Sequence, residues 1–427
     1  MRPRRLWIAG ILAILCVPAF SASDPSPDIS LEKLIHTFTG SPDGDGPRSN
    51  LTPDADGNLY GTTVGGGTFG YGMVFEFKRT ADGWQEKVLH SFTGGTDAEP
   101  EAGVIFDATG NLYGTTLGSS GEGGGSVFEL MPGGKGTWRE KVLHNFGGGT
   151  DGTSPYAGLA IDAAGNLFGT TAVGGTRGGG IVFELTPGAN GTWTEKVLHN
   201  FSEPGHYEAG PFGGLVIDGA GNLYGMTYGG GFNGDNCDPS MVGCGRVFEL
   251  TPAANGTWTE KTIHVFNGKD GANPWAGVVL DKAGNVYGTT YWGGTGQCTD
   301  GYGKVIGCGV VFRLTPSTNG KWTADVLHNF DSNGFDGFQS FAGLAFDAAE
   351  NLYGTTTSGG TRGEGTVFKL TKQPDGKWSE KIVYNFGHYD DGEDPEAAVI
   401  VDAAGKVYGT TAFGGSDGAG IVFEITP

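Results

Sequence analysis

Residues 157–201 read AGLAIDAAGNLFGTTAVGGTRGGGIVFELTPGANGTWTEKVLHNF, and this stretch decides the fold. Ala157–Asp162 alternates apolar with small or polar residues, as a strand does. Asp162-Ala163-Ala164-Gly165-Asn166 is a tight turn, because Asp bonds its own backbone and Gly supplies positive φ. Leu167–Thr171 reads as a second strand, and the glycine-rich residues 174–180 as a loop. Ile181–Leu185 is a third strand, closed by Pro187. Asn190-Gly191 is a hairpin signal, and Thr192–Phe201 forms the fourth strand. Four antiparallel strands in about 55 residues are the content of one propeller blade.

The unit recurs. Its aromatic position falls at Tyr60, Tyr113, Phe168, Tyr224, Tyr287, Tyr353 and Tyr408, in steps of 53, 55, 56, 63, 66 and 55 residues. Seven copies at this period mean a solenoid, a propeller or an array. The chain ends decide between them. The last unit stops after a third strand, Val422-Phe423-Glu424-Ile425, while Leu31–Phe38 matches the fourth strand Thr194–Phe201 almost position for position. An N-terminal strand that completes the C-terminal blade closes a ring and removes an exposed sheet edge. The expected fold is all-β: a single seven-bladed β-propeller of four-stranded antiparallel blades over residues 31–427.

The pattern Asp-Ala-Ala-Gly-Asn-Leu-Phe-Gly-Thr-Thr, followed by Gly-Gly and Ile-Val-Phe-Glu-Leu in Asp162–Leu185, resembles the bacterial GloVer tandem repeat of the choice-of-anchor proteins. The resemblance covers residues 31–427 and implies an exported repeat protein without specifying a chemistry. Some members of that family carry a C-terminal surface anchor; here Pro427 directly follows a strand, which departs from that pattern.

Arg2, Arg4 and Arg5 precede the apolar run Leu6–Phe20 and the small residues Ser21, Ala22 and Ser23. That order reads as a secretory signal peptide over residues 1–23, with 24–30 a short linker. The run is shorter than the ~20 residues that span a bilayer, and Leu15 is too large for lipidation at Cys16. Secretion or a periplasmic location is expected, with no membrane association after signal removal. With 26 basic against 47 acidic residues, the net charge of −21 argues against a nucleic-acid partner. A monomer is expected.

Cys237, Cys244, Cys298 and Cys308 remain in an exported chain and read as two disulfides. Units four and five are longer, and each insertion carries its own pair. Local pairing, 237 with 244 and 298 with 308, competes with cross-pairing between the two loops. A four-thiolate metal site lacks its usual spacing.

Several motifs have bland readings. His36, His90, His144, His199, His264 and His328 share one repeat position, with Tyr384 in the seventh copy; equivalent residues on different blades lie too far apart to ligate one metal. Trp84, Trp138, Trp193, Trp258, Trp322 and Trp378 open the fourth strands and suit the space between sheets. Asp54-Ala55-Asp56-Gly57-Asn58 resembles the start of a calcium loop, but no bidentate Glu follows and the other units keep only the first acid. The glycine runs 65–72 and 121–125 precede no helix, so a dinucleotide site is not expected. No catalytic residue, metal or cofactor is assigned.

Loops between strands four and one, and between two and three, share one face of such a ring. That face varies between units, and variable loops on a fixed scaffold are where binding resides. The ligand-binding candidates there are Tyr228, Phe232, Trp275, Tyr291, Trp292 and Tyr302, with His206, Asp270, Asp300 and Asp336 as polar neighbours. The resulting expectation is a non-enzymatic binding or scaffold protein for an extracellular glycan or a protein segment. The alternatives are a carbohydrate-active lyase or hydrolase on a propeller scaffold and a purely structural envelope or matrix repeat.

Overall fold

The computed structural model describes residues 32–119, 124–202, 210–231, 236–237, 243–300, 302–388 and 390–427. The signal peptide, the linker, His206 and Phe232 lie outside these residues. The described chain is all-β, with three single-turn 3-10 segments as its helical content. Seven four-stranded antiparallel sheets form a propeller ring. Blades 1–7 are numbered by their second strands, Leu59–Thr63, Leu112–Thr116, Leu167–Thr171, Leu223–Thr227, Val286–Thr290, Leu352–Thr356 and Val407–Thr411. The seam is as the chain ends indicate: Glu32–Thr37 pairs with Ile421–Ile425, Glu32 opposite Ile425 and Thr37 opposite Ile421. No helix among the described residues is long and apolar enough to cross a membrane.

Each letter of the Gly-Thr-Thr motif has a physical cause. Gly61 faces Phe75 on the third strand, and a Cβ there would lie 2.5 Å from the Phe75 ring. The same clash recurs at Gly169 with Phe183 and at Gly409 with Phe423, so only glycine lets the buried Phe cross. The first Thr reaches the neighbouring blade: Thr115 Oγ1 donates to the Ala157 carbonyl at 2.9 Å, Thr355 to Ala397 at 3.0 Å and Thr410 to Ser49 at 3.1 Å. The second Thr bonds its own loop, as Thr290 does to the Trp292 carbonyl. Blade 4 carries Met226 in place of the first Thr, a side chain with no hydroxyl to donate.

The Asp turn is self-contained. Asp54 Oδ1 accepts the backbone N–H groups of Asp56 and Asn58, and Oδ2 accepts Asn58 Nδ2 and the Tyr60 hydroxyl. Burial pulls the Asp54 carboxyl up, and these bonds more than offset it, holding its pKa below the ordinary value. The tryptophans fill blade boundaries: Trp193 meets Tyr113 of the preceding blade edge-on at 6.0 Å, and Trp84 meets Tyr408 across the seam at 6.2 Å.

The first strands are shorter than the sequence pattern suggests. Only Ala160–Ile161 pairs in blade 3, because residues 156–159 turn from the sheet to line the central channel. The bond from Thr115 to the Ala157 carbonyl holds them there. The cysteines pair locally, Cys237 with Cys244 and Cys298 with Cys308. Both loops connect strands two and three of adjacent blades.

Candidate functional site

One position per blade lies four residues before the first strand and lines the central cavity. It is occupied by Arg48, Glu101, Tyr156, Phe212, Trp275, Phe341 and Glu396 in blades 1–7. The residue before it is Pro in every blade but the sixth, where it is Ser340; the two residues after it are Gly or Ala in blades 2–7 and Ser49-Asn50 in blade 1. The backbone therefore presents seven side chains in equivalent places around a cavity of about 340 Å³ that all seven blades line. That volume is at the small end of the range for small-molecule sites.

Their chemistry divides the mouth in two. Blades 3–6 supply a continuous aromatic arc. Tyr156 and Phe212 lie 5.2 Å apart, Phe212 and Trp275 stack at 4.4 Å with planes 14° apart, and Trp275 meets Phe341 edge-on at 5.1 Å. Tyr228 buttresses this arc from behind, 5.8 Å from Phe212 and 5.2 Å from Trp275, and Tyr291 lies 4.7 Å from Phe341. Both tyrosines directly follow a second strand, where the loop bonds fix the chain: Ala272 and Trp292 exchange backbone hydrogen bonds at 2.8 and 3.0 Å.

Blades 7, 1 and 2 supply the opposite side. Arg48 lies between two carboxylates, its Nε 3.3 Å from Glu396 and Nη1 3.6 Å from Glu101, with its guanidinium 5.8 Å from the Phe413 ring. Burial pushes the Glu101 carboxyl up to about 7; Arg48 opposes this and Glu396 adds to it. Burial raises Glu396 as well, against Arg48 and with Asp394. The mouth is thus apolar and flat on one side and charged on the other.

Among the sequence candidates, the structure brings together Trp275, Tyr228 and Tyr291 at this mouth. Trp292 touches Tyr291 at 4.7 Å but packs into the core clusters that contain both disulfides. Asp270 and Asp336 are elsewhere, 3.2 Å from His264 and His328 respectively. Asp300 accepts the backbone N–H groups of Tyr302 and Lys304 in its own turn, and Tyr302, 94% exposed, stands at that tip. Arg48, Glu101, Tyr156, Phe212, Phe341 and Glu396 were not singled out by the sequence. Their signal was a single position, with Pro before it in six of seven blades and Gly or Ala after it in most, whose chemistry changes from blade to blade.

The sequence pattern described as the Gloeobacter/Verrucomicrobia repeat matches residues 26–237 and again 236–427. No curated protein matches the chain. Among solved structures it is similar to a candidate 6-phosphogluconolactonase from Bacteroides uniformis, with TM-score 0.50, 12% identity, and 82% of this chain and 88% of that one covered. It is also similar to a candidate oxidoreductase (glucose dehydrogenase) from Thermus thermophilus, with TM-score 0.42, 16% identity, and 92% and 99% covered. These likenesses concern the fold.

Proposed function

The chain belongs to the Gloeobacter/Verrucomicrobia repeat family, and on that premise we propose that it is an exported, non-enzymatic binding propeller that holds a glycan at the mouth of its central channel. Export is supported by the basic, apolar and small-residue order of residues 1–23 and by two disulfides. The observation that carries the ligand class is the two-sided mouth. A sugar ring has apolar C–H faces that stack on flat aromatics and hydroxyls that pair with charged groups; the Tyr156–Phe341 arc offers the first and Glu396–Arg48–Glu101 the second. Arg48 pairs with both carboxylates and neutralises one, while burial raises the carboxyls towards the protonated form, so the site suits a neutral ligand.

One observation favours a second reading, a carbohydrate-active enzyme. A carboxyl pushed up to about 7 beside a second carboxyl is how glycosidases hold a general acid. A glycan array and a hydrolysis screen on the same purified sample test both. Retention of intact oligosaccharides, lost in Trp275→Ala, supports binding; turnover abolished by Glu101→Gln supports the enzyme.

A further inference from the structure

A second set of chemical groups recurs at the blade boundaries, away from the mouth and unused by the binding reading. A histidine on one fourth strand, an aspartate of the connection that follows, and a glutamate on the next blade's fourth strand converge. Among the described residues, three such trios bring their ligand atoms within 4.8 Å of one another: His36, Asp43 and Glu86; His90, Asp97 and Glu140; His328, Asp336 and Glu380. His36 Nε2 lies 3.2 Å from Asp43 and 3.7 Å from Glu86, and His328 Nε2 lies 3.2 Å from Asp336 and 3.7 Å from Glu380. Ligand atoms about 2.0–2.1 Å from a tetrahedral ion are themselves roughly 3.3–3.4 Å apart, so small shifts would seat an ion.

The trios also hold unmet acceptors. Asp43 Oδ1 and Glu86 Oε1, Asp97 Oδ1 and Glu140 Oε1, Asp336 Oδ1 and Glu380 Oε1 are buried with no hydrogen-bond partner. The Asp336 side chain is only 9% exposed, and a buried charged oxygen without a partner is costly. A proton shared between the two carboxyls would satisfy both oxygens of a pair. In the second trio it would leave His90 Nε2, which is also buried without a hydrogen bond. A cation takes the nitrogen and both oxygens together.

Other boundaries of the same ring show the set changing. Where Tyr384 replaces the histidine, its hydroxyl bridges both acids, 2.7 Å from Glu32 and 3.0 Å from Asp391. Where Ala324 stands at the glutamate position, His264 keeps Asp270 alone. We propose that these three converged trios are divalent metal sites, each binding one cation of the zinc class through an imidazole nitrogen and two carboxylates. One imidazole with two carboxylates suits zinc better than the all-oxygen shells of magnesium or calcium. Each ion would tie three chain segments from two blades together at the rim and so stabilise the ring.

The full-length protein, stripped with a chelator and desalted, is titrated with zinc chloride at pH 7.5 against a competing indicator. About three equivalents are expected to bind, with a melting temperature that rises with zinc concentration. His328→Tyr copies the Tyr384 boundary and is expected to fold and bind about one equivalent fewer; Asp336→Asn gives the same loss by another route. A stripped protein that binds no zinc overturns the proposal, as does unchanged stoichiometry in both variants. Melting that rises on acidification from pH 8 to 6 and ignores zinc overturns it in favour of a shared proton.

Discussion

The indole of Trp275 lies 4.4 Å from the ring of Phe212 with their planes 14° apart, although 63 residues separate them in the chain. Neighbouring blades deliver both rings from the same repeat position, so the stack is set by the ring rather than by a local turn. Trp275 is half-buried, and its orientation is fixed before any ligand arrives, which lowers the entropy cost of binding.

Trp275→Ala is therefore expected to weaken glycan affinity at least ~10-fold, the size of a central aromatic contact, while the fold persists. Trp292→Ala separates the two effects. That indole packs against the cores around both disulfides, and its loss should cost about 3–5 kcal/mol of stability with affinity in the surviving folded fraction nearly unchanged. Calorimetric titration and thermal melts on the two variants make the comparison; an affinity loss confined to Trp292→Ala would remove the aromatic arc from the site.

Arg48 is the cation between Glu101 and Glu396, and it holds the Glu101 carboxyl down against burial. Arg48→Gln should move the Glu101 pKa upward from about 7 and make ligand binding more pH-dependent above neutrality. Carboxyl-detected NMR titration of the variant reads this directly. A downward shift would mean that the guanidinium is not what compensates the pair.

The blade architecture was legible because each motif residue answers a constraint inside its own unit. Gly61 clears Phe75, Asp54 closes its turn, and the missing fourth strand of blade 7 matched the spare N-terminal one. The site was harder to read. Its side chains come one per blade, some 50 or 60 residues apart, so no local motif contains two of them. The sequence singled out the variable loops of one face, where Trp275, Tyr228 and Tyr291 adjoin the mouth. Asp270 and Asp336 looked like ligand contacts for the same reason. Their partners, His264 and His328, belong to strands whose histidines the sequence offered only as a distant ring.

At the seam, burial first and Asp391 second push the Glu32 carboxyl up to about 8. The folded chain holds a proton that the unfolded chain releases above its ordinary pKa of 4.5. Stability from this group is thus present at low pH and declines as pH rises from 4.5 towards 8. Glu32→Gln keeps an acceptor for Tyr384 and removes the titration. It should match the parent near pH 5 and exceed it by roughly 1–3 kcal/mol near pH 9. Urea unfolding across that range decides; parallel curves for the two proteins would place the proton elsewhere.

The threonine bonds between blades make the last prediction. Thr355 Oγ1 donates to the Ala397 carbonyl at 3.0 Å, and both groups are buried at the junction of blades 6 and 7. Valine has nearly the shape of threonine but no donor, so Thr355→Val leaves that carbonyl unpaired in a site too tight to rebuild. The cost should be about 1–3 kcal/mol, the penalty for a buried acceptor stripped of its partner. Thr323→Val, on an exposed fourth-strand position, should stay within about 0.5 kcal/mol of the parent. The ring already contains one boundary without this bond, at Met226, so a single further loss is expected to weaken closure without opening it. Equal urea midpoints for Thr355→Val and Thr323→Val would show that apolar packing between blades, rather than the threonine circuit, holds the ring shut.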